Sequence, residues 1–362
     1  MDHQSVRFNI RAQRDFITVL RKRVQEYFEQ NKISRYGNWK MVVKTIFMIA
    51  LYLVPFSVIL FGNVTAWWGN LILWLLMGLG MSGIGLSIMH DANHDAYSRN
   101  KYVNKFLGYI INLVGGSSIN WRLQHNVLHH TFTNVSGLDE DIRSPGGIMR
   151  FSPHEEKKKF YRFQFIYAWF LYGLMTISWF TTKDYAQMIR YRKKGLTKLM
   201  KRPFPVLFTR MVAAKIVYMF LFLALPLWIA PASWWITLIG FTAMHYLSGL
   251  ILAMIFQPAH VVPETVYPMP DDSGNMENNW AVHQLLTTTN FAPKSKVFSW
   301  FVGGLNYQIE HHLFPNICHV HYKGISEIVK KTAKEFNLPY HSQPTFAAAL
   351  INHGRLLYRL GR

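Results

Sequence analysis

The sequence predicts an all-α integral membrane protein. Four transmembrane helices form two hairpins, joined by interfacial amphipathic helices and a cytoplasmic helical cap that carries histidine clusters. Three observations predict this. Apolar runs at about 41–62, 66–89, 208–230 and 232–256 are each long enough to cross a hydrocarbon layer of roughly 30 Å. Although the formal net charge is +20, no Lys or Arg occurs from Thr45 to Ser98 or from Ile216 to Pro293. Trp67, Trp68, Trp228, Trp234 and Trp235 stand beside the two short turns, where interfacial aromatics belong.

The elements follow in order. Residues 1–40 are a basic segment. The first apolar run starts too late, and is too long, for a cleaved signal peptide. The turns "GNVTA" (62–66) and "APAS" (230–233) carry no cation, whereas the flanks of each hairpin do. Positive flanks stay in the cytoplasm, so both hairpins point outward and both chain ends are expected on the cytoplasmic side. "NKFLGYIINLVGG" (104–116) is too short to span. The aromatic-rich stretch 160–180 is basic at both ends, so one crossing would violate the charge rule. Both are expected to lie in the interface. Residues 323–362 hold two stretches of helical periodicity and read as a cytoplasmic tail. The transmembrane and catalytic part is then 41–322.

Composition excludes several functions. The single cysteine, Cys318, rules out a disulfide framework, a thiolate zinc site and an iron–sulfur cluster. The charge has a membrane geography, so no nucleic-acid partner is expected. The basic surface suits an anionic leaflet.

The sixteen histidines are clustered. "HDANH" supplies His90 and His94. "HNVLHH" supplies His125, His129 and His130. "NNWAVH" supplies Asn279 and His283. "QIEHH" supplies Gln308, His311 and His312. The i, i+4 spacing recurs at His90–His94, His125–His129, Asn279–His283 and Gln308–His312, which on a helix shares one face. An even number of crossings separates every cluster from every other, so all face one side. Ionisable groups near membrane depth are costly and usually functional. The pattern predicts a metal site, and so many imidazoles exceed what one tetrahedral ion needs. Imidazole suits zinc, copper, iron and nickel alike. Asp91, Asp95, Asp139 and Asp141 are expected to hold imidazole tautomers rather than bind metal.

Other histidines read otherwise. His245 is expected to be packed neutral within its span, and nothing pairs His260 with a ligand. His319 and His321 read as solvated or as orienting ligands. His3, His154, His341 and His353 read as surface. Glu310 is expected to face away from Gln308 and His312.

At the motifs "HDANH", "HNVLHH" and "QIEHH" the chain resembles the membrane fatty acid desaturases. It is most similar to the front-end branch, whose third box begins with Gln. "WRLQHNVLHHTFTNVSGLDEDI" (121–142) and "GGLNYQIEHHLFP" (303–315) also resemble that branch, and the similarity covers roughly 40–340. The resemblance implies two iron ions held by His90, His94, His125, His129, His130, His283, His311 and His312. It implies that Asn279 reaches iron through water and that Gln308 takes the remaining ligand place. It further implies O2 as co-substrate and an acyl-CoA or phospholipid acyl chain as substrate. A cis double bond forms, of front-end type near carbon 5 or 6. No HPGG haem motif and no flavin or nicotinamide fingerprint occurs, so the electron donor is expected to be separate, a ferredoxin or a cytochrome b5. The competing expectations are a di-iron hydroxylase or oxygenase of the same family and, from another class, a metal transporter.

Overall fold

The structure, a computed structural model, describes residues 6–362; His3 therefore lies outside the described residues. Among the described residues, four helices are long and apolar enough to cross a membrane: Trp39–Phe61, Trp67–Asn93, Phe204–Ile229 and Trp234–His260. The first begins at Asn38, whose side chain caps it by accepting the Lys40 N–H at 3.0 Å. Short turns follow the first and third spans, so each pair is antiparallel. All five tryptophans named above are exposed beside those turns.

The spans are not equivalent. The second is 67% buried and the third only 22%, which makes the second the centre of the bundle. Small residues permit this. A Cβ on Gly80 would lie 2.7 Å from the backbone nitrogen of Tyr52, so the first two spans approach backbone to backbone. Exposed apolar side chains such as Ile46, Phe47, Val217 and Phe220 cover the outside, as lipid contact requires.

Three expected elements take a different form. The second and last spans continue beyond 89 and 256, through Asn93 and His260, and carry histidines at their ends. The stretch expected as one interfacial helix over 160–180 is two helical arms, Lys159–Gly173 and Met175–Lys193, meeting at 62°. The break falls at Leu174, immediately after Gly173, against which the Tyr246 ring packs.

The N-terminal segment and the tail share one core. Phe16, Leu20 and Val24 of helix Arg14–Gln30 pack with Ile325 and Val329 of helix Tyr322–Glu335 and with Ile309 and Leu313 beside the third box. A short parallel pairing of Arg7–Phe8 with Asn275–Met276 ties the chain start to the segment after the last span. Helix Phe346–Gly361 packs on the first arm of the bent pair. There His353, expected at the surface, is fully buried between the Tyr172 hydroxyl (2.6 Å) and the Val261 carbonyl (2.8 Å).

Gly80→Leu forces an overpacked contact costing about 1–3 kcal/mol. The expected outcome is a lower Tm for the detergent-purified Gly80→Leu protein than for the wild type, read by a thermal-shift assay. Equal Tm values for the two proteins would show that the backbone approach is not needed.

Candidate metal centre

The first histidines sit where the second span changes pitch. A π-helical turn, Ile84–Ile88, precedes the α-helical Met89–Asn93; His90 lies within that turn of helix and His94 ends it. The second cluster lies on a π-helix, Arg122–His129, not on the α-helix that i, i+4 spacing suggests. Its wider turn brings residues five apart together, so His125 meets His130 (Nε2 to Nε2, 3.2 Å) as well as stacking on His129. That geometry explains why two consecutive histidines both reach the same interior. The third box is the short helix Gln308–Leu313. It is docked by Gly303, whose φ of +63° and close approach to the Leu86 carbonyl, which leaves no room for a Cβ, place it directly on the π-turn of the second span.

The clusters converge. Ligand-type nitrogens of His90, His94, His125 and His311 all lie within 4.8 Å of one another, as do those of His129, His260 and His312. A third group, His130 with His311 and His312, connects these two. His90 and His125 face each other Nε2 to Nε2 at 3.2 Å, and His130 and His311 at 2.9 Å.

The outer ring nitrogens are held. His260 Nδ1 donates to the Thr287 carbonyl (3.1 Å), and His129 Nδ1 to Asp139 (3.1 Å). His312 Nδ1 meets the Gln284 side-chain oxygen at 2.8 Å. A neutral imidazole has one N–H, so His260 and His312 turn bare Nε2 lone pairs inward, and His129 does so once its second proton is displaced. Those of His260 and His312 are buried with no partner among the described residues, as is that of His94. His311 Nδ1 lies 3.1 Å from the Tyr322 hydroxyl. Asp141 adds a carboxylate 3.4 Å from His129 and 3.6 Å from His125. Asp91 bonds His319 Nδ1 at 2.8 Å with one oxygen and has the other 3.7 Å from His90. Lys44 in turn contacts His319 Nε2 at 2.7 Å, so His319 is buried and paired rather than solvated.

The electrostatics favour neutral ligands. Burial holds His94, His130, His311 and His312 well below the ordinary imidazole range, and neighbouring imidazoles push them further down. Burial pushes His125 down to about 3 against the opposing pull of Asp141. His129 is the exception. Burial disfavours its charge, yet Asp139 and Asp141 outweigh that and push it up to about 9. A cation on His129 Nε2 would take the place of that proton. Converging lone pairs, locked tautomers and paired carboxylates form a donor set that fits borderline divalent ions.

Not every expected residue joins the centre. Asn279 is the N-cap of helix Trp280–Thr287: its oxygen accepts the Val282 N–H at 3.0 Å and its nitrogen donates to the Ala12 carbonyl. It starts the helix one turn before His283, and both its polar side-chain atoms are engaged. His283 is buried with an unpartnered Nε2, but it belongs to none of the nitrogen groups and packs edge-on against Phe8. Burial lowers it to about 4. Asp95 is an exposed residue at φ +56°, just past the first box, and touches no ligand. Gln308 is buried one turn before His312, with its amide nitrogen unpartnered among the described residues. Glu310 points away, to Asn290 (2.8 Å) and the Tyr340 hydroxyl (3.0 Å).

His260 is the residue that sequence reasoning passed over. It has no i, i+4 partner. Its signal was positional: it ends the last span as His90 ends the second.

A cavity of about 370 Å³ leads to the centre. The bent arms, the last span and the second span enclose it with Met89, Leu171, Met175, Leu252 and Phe256, and it reaches His125, His129 and His260. Trp121 lines it too, with its ring against His90, His94 and His125.

The family described as fatty acid desaturase matches residues 65–344. The chain is 35% identical over 359 residues to the sn-1 linoleoyl-lipid 6-desaturase of Synechocystis, covering 98% of each protein. It is 36% identical over 348 residues to the acyl-lipid (8-3)-desaturase of Physcomitrium patens, covering 96% of this chain and 72% of that one. A probable Delta(5) fatty acid desaturase of Dictyostelium discoideum is 30% identical over 353 residues, covering 96% and 76%.

Asp139→Asn leaves the His129 ring without its charged acceptor, and metal affinity is expected to fall about 10–100-fold. Asn279→Ser keeps the helix cap and is expected to retain full metal. Both are read as metal retained against a competing chelator. Loss from Asn279→Ser would restore Asn279 to the ligand set.

Proposed function

The chain belongs to the fatty acid desaturase family, and on that premise we propose that it introduces a cis double bond at carbon 6 of an acyl chain esterified in a membrane glycerolipid. The observation that carries this is the apolar cavity ending on His125, His129 and His260. A flexible hydrocarbon has no polar handle at the reacting carbons, so a shaped apolar wall must position it. The substrate class and the carbon are proposed from the Synechocystis relative, which matches end to end and is named for a linoleoyl lipid and position 6.

Two iron ions are the proposed occupants. His90, His94, His125 and His311 would hold one and His129, His260 and His312 the other, with His130 beside His311 and His312. Bound iron would supply the redox chemistry with O2 that no side chain here provides. The protein's own residues do the rest. Asp139, Gln284 and the Thr287 carbonyl hold His129, His312 and His260 with Nε2 turned inward. Trp121, Phe256 and Leu252 keep water from the reacting methylenes. Two hydrogens leave adjacent carbons, two electrons and two protons come from outside, and O2 leaves as two waters. A separate ferredoxin or cytochrome b5 supplies the electrons at the basic side, which the distribution of Lys and Arg assigns to the cytoplasm. We assign Gln308 as an oxygen ligand, since the amide turned over would present its carbonyl where the unpartnered nitrogen now lies.

Expression in a host lacking the activity, with linoleoyl lipid present, is expected to yield an acyl product two hydrogens lighter with a new double bond at carbon 6, read by mass spectrometry. A product heavier by one oxygen would overturn the desaturase reading. Gln308→Ala is expected to lower iron per chain; full loading with full activity would remove Gln308 from the ligand set.

A further inference from the structure

We infer that Lys183 anchors the ester carbonyl of the acyl substrate and so determines which carbons lie beside the imidazoles. The inference rests on the desaturase reading above and names the residue that sets its regiochemistry.

The cavity wall is apolar over most of its extent but carries a polar collar. Two cations line it, Arg143 and Lys183. Arg143 is half-exposed and engaged with Glu140 at 3.3 Å. The neighbouring carboxylate, Asp184, is neutralised by Lys215 of the third span, which also donates to the Gly115 carbonyl at 2.7 Å. Lys183 differs from both. Its ammonium has one hydrogen-bond partner among the described residues, the side-chain oxygen of Gln124 at 2.8 Å. An ammonium has three donors, so two remain for a ligand in the cavity.

The contacts beyond Lys183 make it a fixed reference point. Gln187 donates to the same Gln124 oxygen at 2.8 Å, and the Gln124 nitrogen donates to Asp141. Asp141 in turn stands 3.4 Å from His129 and 3.6 Å from His125. Gln124 also precedes His125 on the same π-helix. The ammonium and the imidazoles are therefore registered to each other through one side chain and one carboxylate. Lys183 itself ends a π-helical turn, Trp179–Lys183, in the second bent arm. With a carbonyl held by Lys183, the fixed separation of that ammonium from the imidazoles sets how many methylenes lie between the ester and the centre. The reacting carbons are then counted from the carboxyl end, whatever the length of the chain beyond.

The test uses the full-length protein in a host lacking the activity, with double-bond position, conversion and iron per purified chain all measured. Lys183→Met keeps the side-chain length without the charge; Lys183→Arg keeps the charge. For Lys183→Met, conversion is expected to fall about tenfold, the size of a lost hydrogen bond to a charged group. Part of the remaining product is expected to carry its double bond at a shifted carbon, with iron unchanged. Lys183→Arg is expected to restore the wild-type position. A Lys183→Met enzyme with wild-type conversion and a single unchanged position overturns the anchor. So does lost conversion accompanied by lost iron, which would make Lys183 a support for Gln124 and Asp141 only. A wild type that forms no double bond overturns the desaturase reading, and the anchor with it.

Discussion

The constraint on which the structure depends is the burial of imidazole lone pairs that face one another. Nitrogen atoms 2.9 to 3.2 Å apart, as at His130–His311 and His90–His125, repel unless a proton or a cation lies between them. Burial opposes a second proton on most of these rings, so at most the single N–H of a neutral tautomer lies between such a pair. The fold also leaves the inward lone pairs of His260 and His312 without a partner among the described residues, a cost that a bound metal ion would relieve. It also spends its polar groups on the outer nitrogens. A backbone carbonyl at Thr287, a carboxylate at Asp139 and an amide at Gln284 each fix one tautomer. Remove those acceptors and the rings could turn their N–H groups inward, satisfying one another without any ion.

Backbone geometry serves the same end. Three π-helical turns lie around the cavity and the centre: Ile84–Ile88, Arg122–His129 and Trp179–Lys183. A π-turn spreads side chains that an α-turn would stack and lets consecutive residues face one interior. Gly303 fits its backbone against the first of these turns, so the third box is positioned by main-chain contact rather than by side-chain packing. The N-terminal helix then buttresses the same box from outside through Phe16, Leu20 and Val24.

Much of this was legible in the sequence, and the parts that were not share a physical reason. The four spans follow from apolar length and the distribution of Lys and Arg, which depend on composition alone. The box histidines that converge were legible because their spacing repeats. His260 was not, because a lone histidine at a span end carries no spacing. For Asn279, i, i+4 spacing to His283 does not mean two positions inside one helix, since Asn279 begins it. Asp95 is a similar case. It is adjacent to His94 in the chain, but the left-handed turn there points it outward. His353 looked like a tail residue, and only the docking of its helix against Tyr172 buries it.

The bent arms connect these two levels. A straight helix over 160–193 could line the cavity or reach Gln124, but the 62° bend at Leu174 lets one element do both. The first arm places Leu171 and Tyr172 on the apolar wall, with Tyr172 tied to His353 of the closing helix. The second arm returns Lys183 and Gln187 to Gln124. Position along the substrate and position of the imidazoles are thus referred to the same few residues. A change in the bend would move the cavity wall and the polar collar relative to the centre at once. Regiochemistry in such a design is a property of the bend and its contacts as much as of the histidines, which is why the boxes identify the chemistry while leaving the carbon it acts on to the surrounding chain.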